Sequence, residues 1–585
     1  GIWDGFWDIG DPNTHTQSLQ LTYDLPLNKI PTLSFLTASY SYTGDFNWQR
    51  GSDVLQEVSG ERINTIQNAN THNLNATLDM TKFYKHIGFV RKRKGNRKTN
   101  LRGRNARKPG VPGDNAAQDD KKTSSKASVG TKIFNTVVDV VGSVKRINIS
   151  YSENNGKVLP GYTPSIGFIG TLKPSFGFVF GSQADVRYEA ARQGYLTEFT
   201  GFNQQFTQVH NKNLDITAMV EPMRDLKIDL VANRNFSENF SEQFSVQNGE
   251  YTSLSPNGAG NTFGNFGIST LLIKTAFAQS DENQSATFAD FENNRQIIAR
   301  RLAIANGQPL TDTDGDGFPD GFGKSNQAVL LPAFLAAYSG QDANDVKLGA
   351  FRDVPIPNWT IKYTGLMRLK WFKKRFKRFS LSHGYRSSYT INSFRNNLDF
   401  DGANPFGATN VDQGGNFHNQ NIFSNINLVE QFNPLLRIDM EMKNSVKILA
   451  EVKRDRALSL SFDNNLLTEV SGNEYIVGLG YRFKDVRIDT RIAGKKTTLK
   501  GDLNLKADLS LRDNVTIIRS LDLFNNQVTA GQTLWSLKFT ADYALSRNLT
   551  ALFYYDHTFS EFAVSTAFPQ TTIRSGITLR YNFGN

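Results

Sequence analysis

The amino-acid sequence predicts an all-β protein: a large antiparallel transmembrane β-barrel with an extracellular helical cap as an insertion. The main observation is a strict alternation near the end of the chain. Odd positions from Leu499 to Leu511 are apolar or small, and the positions between them are Lys, Asp, Asn or Ser. A period of two is typical of strands with one apolar and one polar face. Full charges on the polar face indicate a water-filled interior rather than a dry core.

Composition supports the same fold class. The chain has 585 residues, among them 43 Phe, 19 Tyr and 6 Trp, and it has no Cys. Aromatic residues are enriched where a barrel meets the two membrane surfaces, and one large barrel uses a chain of this length as a single unit. No run of about 18 apolar residues occurs, so the sequence contains no candidate transmembrane helix. The absence of cysteine excludes disulfides and thiolate metal sites.

Residues 1–90 are predicted to form the first barrel strands. Alternating apolar residues mark strands at Leu19–Tyr23, at Leu33–Tyr42 and from Leu74 to Met80. The sequence begins Gly-Ile-Trp-Asp, without an initiating Met or a signal peptide. Because a barrel must be exported, we expect the start to be either a processing site or the middle of a longer polypeptide, and we favour the second.

Residues 91–130 are predicted to be a basic disordered periplasmic loop. This stretch is rich in Lys, Arg, Gly, Asn and Ser and has no hydrophobic periodicity. Two interpretations remain open: a solvated tether, or an arm that contacts an anionic partner such as lipid headgroups or an acidic protein. The net charge of +11 is concentrated here, so no nucleic-acid partner is predicted. Residues 131–235 are predicted to hold a short amphipathic helix, from Ile133 to Val144, and further strands.

Residues 236–352 form the largest interruption of the strand pattern and are predicted to be an extracellular loop or cap. Two stretches inside it, Phe288–Ile304 and Gln327–Tyr338, have helical character. A loop of this length with helices of its own is a small cap rather than a linker. Long loops of outer-membrane barrels lie outside the cell, which places the cap there.

Residues 353–585 are predicted to return to barrel strands, including one from Tyr363 to Trp371. Roughly fourteen to eighteen strands are expected in the whole chain if each uses the 9–11 residues that cross a membrane. Short periplasmic turns are predicted at Asn433-Pro434, Lys484-Asp485, Arg512–Asn514 and Arg547-Asn548. The predicted localisation is the outer membrane, with extracellular loops and periplasmic turns.

One metal-binding pattern lies inside the predicted cap. Carboxylates alternate along Asp312–Asp316, and a glycine, Gly317, stands at the sixth position of the pattern. Hard oxygen ligands at positions one, three and five before this glycine are typical of calcium loops. Position twelve is Gly323 and not the Glu of an EF-hand, so Asp320 is expected to close the site. The sequence thus predicts a structural calcium site with the ligands Asp312, Asp314, Asp316 and Asp320. The alternative is a bare acidic turn that pairs with Arg300 or Arg301.

No catalytic constellation emerges from the sequence, so we predict neither an enzyme activity nor a catalytic cofactor. The histidines are scattered, without ligand spacing and without a known nucleophile motif beside them. They are His15, His72, His86, His210, His383, His418 and His557.

Six short blocks resemble the C-terminal part of the SprA/Sov family. This family comprises the outer-membrane translocons of the Bacteroidota type 9 secretion system, which are also required for gliding motility. The blocks follow one another in consistent order along almost the whole chain. They are residues 5–10 (Gly-Phe-Trp-Asp-Ile-Gly), 40–46 (Tyr-Ser-Tyr-Thr-Gly-Asp-Phe), 159–162 (Leu-Pro-Gly-Tyr), 332–338 (Pro-Ala-Phe-Leu-Ala-Ala-Tyr), 356–359 (Ile-Pro-Asn-Trp) and 478–485 (Gly-Leu-Gly-Tyr-Arg-Phe-Lys-Asp).

The resemblance implies a protein-conducting channel that passes folded proteins to the cell surface. It implies a single giant barrel, of which this chain supplies the C-terminal part and an upstream part of the same polypeptide supplies the rest. The implied partners are a PorV-like lipid-associated barrel at a lateral opening, a periplasmic plug protein, other type 9 secretion components, and secreted proteins with C-terminal signal domains. Two other functions stay open: a TonB-dependent or lipopolysaccharide-type transporter, and a calcium-dependent surface adhesin anchored by a barrel.

Overall fold

The computed structural model describes residues 12–88, 142–167, 170–255, 260–492, 495–521, 525–546, 548–564 and 568–583. They form a 17-stranded antiparallel sheet. The strands are β1 Thr14–Leu25, β2 Leu36–Gln49, β3 Asn64–Asp79, β4 Val144–Tyr162, β5 Gln205–Met223, β6 Leu226–Gln247, β7 Glu250–Ser253, β8 Asn261–Ser269, β9 Asn358–Tyr363, β10 Phe376–Asn396, β11 Asn421–Met442, β12 Val446–Ser461, β13 Leu466–Ile492, β14 Lys495–Ser520, β15 Asn526–Ala544, β16 Leu549–Phe562 and β17 Gln570–Tyr581. The predicted all-β class with a helical insertion is confirmed.

Short helices connect the strands. The α-helices of the described part of the chain are α1 Asp53–Ser59, α2 Met80–His86, α3 Phe176–Val179, α4 Arg187–Arg192, α5 Ala286–Ala305, α6 Gln327–Ser339 and α7 Lys370–Arg375. The two helices predicted inside the cap are confirmed as α5 and α6. Both have side-chain N-caps, because Ser285 accepts from the Phe288 amide and Asn326 accepts from the Ala328 amide. The predicted basic loop at 91–130 and the helix from Ile133 lie outside the described residues.

The sheet is a meander in which chain neighbours are also sheet neighbours. Antiparallel pairing runs in order from β1 to β6 and again from β10 to β17. Within the described residues, β1 pairs only with β2 and β17 only with β16. These two strands are therefore the edges of the sheet as described.

One position in the sheet is filled by two strands placed end to end. β8 pairs with β6 at Arg234–Ser241 and with β10 at Ser388–Arg395. β9 continues in the same direction and pairs with β6 at Leu226–Val231 and with β10 at Leu381–Tyr385. Residues 270–357, here called the insertion, leave the sheet between β8 and β9. The predicted cap boundaries of 236–352 are wrong at their start, because β6 continues to Gln247 and β8 also belongs to the sheet.

The two ends of the sheet differ in the length of their connections. At one end, here called the loop end, lie the long connections 50–63, 163–204 and 397–420. At the other end, the turn end, several connections are tight, such as 224–225 and 443–445. The connection 80–143 also lies at the turn end, and only its first and last residues are described.

Several predicted boundaries are wrong in a common way, because the strands are longer than expected. Asn433-Pro434 lies inside β11 at a register shift, Lys484-Asp485 lies inside β13 at another, and Arg512–Asn514 is ordinary β14. A bulge absorbs extra residues without ending a strand. The strand predicted from Tyr363 to Trp371 is also wrong, since β9 ends at Tyr363 and a 3-10 turn and α7 follow.

Candidate functional site: a two-faced wall with an outer insertion

The strand register separates an apolar face of the sheet from a polar one, because direct cross-strand partners point to the same side. The apolar face forms a band across the strands from β1 to β17. Its members include Tyr23, Tyr40, Leu74, Tyr151, Leu214, Leu230, Trp359, Leu381, Ile438, Ala450, Val477, Leu509, Leu537, Phe553 and Ile577. Many of these large side chains are exposed, for example Val477 at 48% and Ile577 at 73%. An exposed band of this extent is typical of a surface that faces lipid.

The opposite, polar face carries hydroxyl, amide and charged side chains. Its members include Thr22, Ser41, Asn73, Ser152, Asn213, Asn235, Thr360, Ser380, Asp439, Glu451, Arg482, Ser510, Ser536, Thr558 and Thr572. Many charges on this face have partners: Arg378 is 2.9 Å from Asp439, and Lys453 is 3.3 Å from Glu474. Two open cavities of ≈ 510 Å³ and ≈ 390 Å³ are lined mostly by this face. These two open clefts therefore lie mainly on the polar side of the sheet.

The insertion packs on the apolar face, beyond the exposed band and toward the loop end. Helix α6 is buried from Val329 to Tyr338 and shares one core with α5 and with sheet residues. The sheet side of this core includes Ile268, Tyr389, Ile391, Ile426, Leu428, Leu458, Leu460 and Leu467. The register places these residues on the same face as the exposed band. The insertion thus covers the apolar face of these strands and not their polar face.

A buried ion pair joins the insertion to β11 and β12. Arg456 and Glu430 are 3.1 Å apart, and their side chains are 7% and 2% exposed. Arg456 also donates to the backbone carbonyl and the hydroxyl of Thr275 in the insertion, both at 2.9 Å. Tyr385 donates to the second oxygen of Glu430 and accepts from the backbone amide of Leu272. This network holds the start of the insertion against three strands.

A second buried pair performs the same task one strand pair further along. Arg519 of β14 lies 3.4 Å from Glu469 of β13, with exposures of 1% and 4%. Arg519 donates to the Ser280 hydroxyl at 2.9 Å and to the Asp281 carbonyl at 2.8 Å. Ser280 in turn donates to Glu469. Breaking such a pair leaves an uncompensated buried charge, so each member depends on the other.

The connection 163–204 covers the apolar face of β2 to β6 in a similar way. Its residues Phe178, Val179, Ala190 and Leu196 share a core with sheet residues such as Trp48 and Ile66. Arg187 of α4 pairs with Glu242 of β6 and with Asp185. Burial alone would raise the pKa of the Asp185 carboxyl, but hydrogen bonds from Arg187 lower it below its usual value. Charge pairs therefore hold two separate segments on the apolar face, and in the second segment only Glu242 is fully buried.

The predicted calcium residues lie in an exposed loop of the insertion. Ligand atoms of Asp312, Asp314 and Asp316 lie within 4.8 Å of one another, and this is the only such acidic or histidine group among the described residues. Asp312 accepts from the Gly315 and Gly317 amides, at 2.7 and 2.9 Å. Gly315 and Gly317 have φ angles of 75° and 88°, which favour glycine. Three convergent carboxylates fit a hard cation in kind, and calcium binding stays a prediction.

Asp320 does not join that group. Its carboxylate accepts from the Thr313 amide at 2.9 Å and from the hydroxyls of Thr313 and Thr311 at 2.7 and 2.8 Å. These bonds, with the Thr313 amide first, lower the pKa of Asp320. The alternative partner Arg301 also lies elsewhere, since its guanidinium donates to the carbonyls of Ala343 and Val346. Asp320 therefore braces the loop in this structure, and its role as the closing calcium ligand stays a prediction.

Sequence reasoning missed the buried ion pairs, although a signal for them exists. Glu469 and Arg519 stand at positions whose parity is apolar elsewhere on β13 and β14. Charged residues at apolar-face positions of two paired strands indicate that another segment of the chain covers that face there. The scattered histidines belong to no metal-binding group among the described residues.

In the described part of the chain, no helix is both long and apolar enough to span a membrane. No family model and no curated protein matches this chain.

Comparison with solved structures finds weak similarities. The chain is similar to the FrpB iron transporter from Neisseria meningitidis at 8% identity and a TM-score of 0.24, over 94% of this chain and 62% of that one. It is similar to the RagAB peptide transporter at 7% identity and a TM-score of 0.25, over 94% of this chain and 50% of that one. For the siderophore receptor PirA from Acinetobacter baumannii the values are 8% and 0.22, over 98% and 75%. The chain thus spans 62% and 50% of the lengths of the first two, and at these scores the similarities assign no function.

Proposed function

We propose that this chain is a wall segment of a large outer-membrane barrel that conducts folded proteins, as in the type 9 secretion translocons that its sequence resembles. The observation that carries the proposal is the two-faced sheet. Its apolar face presents a band of exposed side chains, as a lipid-facing wall requires. Its polar face presents hydroxyls, amides and paired charges, on which a passing folded protein meets little apolar surface to adhere to.

The edges of the sheet support a barrel that is larger than these strands alone. Backbone groups in hydrocarbon need hydrogen-bond partners, so membrane sheets are closed. Within the described residues β1 and β17 are not paired with each other. In the proposed assembly, further strands from an upstream part of the polypeptide lie between them. The loop end is extracellular and the turn end periplasmic.

The proposal includes the partners of such a translocon. These are a PorV-like barrel beside a lateral opening, a periplasmic plug protein, other secretion components and substrates with C-terminal signal domains. The chain itself acts as a conduit without chemistry of its own, so the energy for transport comes from partners.

Cysteine cross-linking tests the conduit directly, because the chain has no native Cys. Ser510 lies on the polar face of β14, and its neighbour Leu509 lies on the apolar face and is 47% exposed. A secreted substrate that carries one reactive cysteine is stalled during export in cells with S510C or L509C. We expect adducts with S510C and none with L509C, which is the matched control. Equal labelling of both, or secretion without any S510C adduct, would contradict the proposal.

Electron cryo-microscopy of the detergent-extracted complex, purified through this chain, tests the architecture. A barrel much wider than these strands, with a second barrel beside it, is the expected result. A closed barrel made of these strands alone would instead support a nutrient or lipopolysaccharide transporter. A surface adhesin is distinguished by deleting the insertion, which would abolish adhesion but leave part of the secretion of a translocon.

A further inference from the structure

The connection between β9 and β10 gathers positive charge at the turn end of the sheet. It consists of a 3-10 turn at Gly365–Arg368, in which Gly365 is buried, and of α7, in which no residue is buried. Lys370, Lys373, Lys374 and Arg375 are all exposed. Among the described residues, none of these four has a carboxylate partner within ion-pair distance, whereas the flanking Arg368 is paired with Asp225 at 2.5 Å.

The neighbouring cations on β10 behave differently. Lys377 lies 2.7 Å from Glu441 and Arg378 lies 2.9 Å from Asp439. Carboxylates of β11 therefore neutralise Lys377 and Arg378, whereas the four cations of α7 have no such partner among the described residues. A cluster of like charges repels itself, and an external anion relieves that repulsion.

Aromatic rings place this cluster at the border of the apolar band. Phe376 and Phe379 belong to the apolar face, because they pair with Met442 and Met440. Phe372 packs on Phe379 with ring centroids 4.9 Å apart, and it contacts Trp371 at the same separation. Contacting aromatic rings thus connect the buried Phe379 on the apolar face to the exposed Trp371 of α7.

Trp371 and Leu369 are the exposed apolar residues of this rim, at 51% and 53%. The Arg375 guanidinium lies 4.6 Å from the centre of the Trp371 ring. Tryptophan with one apolar and one polar side is enriched where hydrocarbon meets headgroups, and Lys and Arg extend their charges from apolar surfaces toward water. Trp371 and the basic side chains of α7 are therefore both suited to the interface between the hydrocarbon and the headgroups of a bilayer.

We propose that α7 and its flanking turn bind the anionic headgroups of phospholipids in the periplasmic leaflet. The phosphate lies among the four cations, and the acyl chains lie along Trp371 and the rings of Phe372, Phe376 and Phe379. The inference rests on the proposed membrane location of the wall and goes beyond its transport role. Charge complementarity selects the lipid: each basic residue near an anionic surface adds attraction that salt screens. A zwitterionic lipid lacks the net charge that this cluster requires.

The test uses the purified protein, as part of its complex, reconstituted in nanodiscs of phosphatidylcholine with about one fifth phosphatidylglycerol. Retained lipids are counted by native mass spectrometry after release. We expect phosphatidylglycerol to be enriched over the bulk by about fivefold or more, and the enrichment to be lost in the variant K370Q/K373Q/K374Q/R375Q. The control K274Q/R300Q/K324Q/K347Q removes the same four charges from the insertion and should keep the enrichment.

A second readout does not depend on the quadruple variant. Phosphatidylglycerol with brominated acyl chains should quench tryptophan fluorescence more than brominated phosphatidylcholine does, and W371F should remove that difference. Equal quenching by both lipids, or enrichment unchanged in the quadruple variant, would overturn the lipid site. Loss of a co-purifying acidic protein with unchanged lipid enrichment would also overturn it, in favour of a protein partner. A chain that fails to enter any bilayer would refute the proposed function as well, so the two failures are distinguishable.

Discussion

At the scale of single residues, Arg519 and Glu469 form an ion pair that attaches the insertion to the sheet. Both stand on the face of the sheet that carries apolar side chains, and both are almost fully buried. Their hydrogen bonds to Ser280 and Asp281 attach the insertion to β13 and β14. Removing one partner leaves the other charge buried without compensation, at a cost of about 3–5 kcal/mol.

We therefore expect R519M to loosen the insertion while the sheet stays intact. Exchange of the α6 amides, measured by hydrogen–deuterium exchange, should become about a hundredfold faster or more. R519M/E469L should recover part of the loss, because an apolar pair leaves no buried charge. The matched control is K500M, whose partner Asp485 is 72% exposed. Unchanged exchange in R519M would show that the apolar core alone holds the insertion.

A second residue-scale prediction concerns the acid sensitivity of Asp320. The Thr313 amide and the two threonine hydroxyls favour its carboxylate, so its folded pKa lies below the usual value. The bracing is therefore fully present above the unfolded pKa of about 3.9 and is lost as the pH falls through the folded pKa.

The measurement compares exchange of the Thr313 amide between the native protein and D320N at each pH, which cancels the intrinsic pH dependence. The native amide should be better protected at neutral pH, and the difference should vanish in acid. A difference that persists below the folded pKa would mean that charge is not what holds the loop.

At the scale of elements, the Asp-rich loop brings three carboxylates together, and calcium binding by this loop is a separate prediction. Calorimetric titration of the protein with calcium should give binding in the range of about 10⁻⁴–10⁻³ M that is common for extracellular modules. D314N/D316N should abolish the heat, since it removes two of three convergent carboxylates. D342N changes an exposed Asp elsewhere in the insertion and serves as the control. Equal heats from both variants would favour the bare acidic turn.

Elements with a strong local signal could be predicted from the sequence, and elements set by pairing could not. Helices α5 and α6 carry their own caps and are found where the apolar periodicity indicates them. Asn433-Pro434 and Lys484-Asp485 contain typical turn residues, yet their neighbours in the sheet keep β11 and β13 running through them. The cross-strand partner, which a single sequence does not show, decides between a turn and a bulge.

At the scale of the whole molecule, alternation predicted the two faces of the wall, but not that the insertion covers one of them. The sequence places the cap on long loops at one end of a barrel. The structure places it on the apolar face of the strands, because residues such as Leu458 and Leu460 have the apolar parity and extend past the exposed band. Of the predicted site, three aspartates come together and Asp320 does not, since nearby threonines satisfy its carboxylate first.

The edges of the sheet give a prediction for the complete wall. Spin labels at T22C and T578C, on β1 and β17, should lie far apart by electron paramagnetic resonance if further strands separate these edges. The pair T22C/S41C is the control, because Thr22 and Ser41 are direct partners on adjacent strands about 5 Å apart. A T22C/T578C distance as short as that of the control would show that this chain closes on itself.

The shared position of β8 and β9 has a consequence for how the wall forms. β8 pairs with β6 and β9 pairs with β10 across short connections, whereas the pairing of β8 with β10 and of β9 with β6 can form only after the insertion between them has closed. Loop closure over so long a segment is slow, because its entropy is lost before the new contacts form. We therefore expect the junction between β6 and β10 to be the last part of the sheet to form, after the strands on either side have already paired.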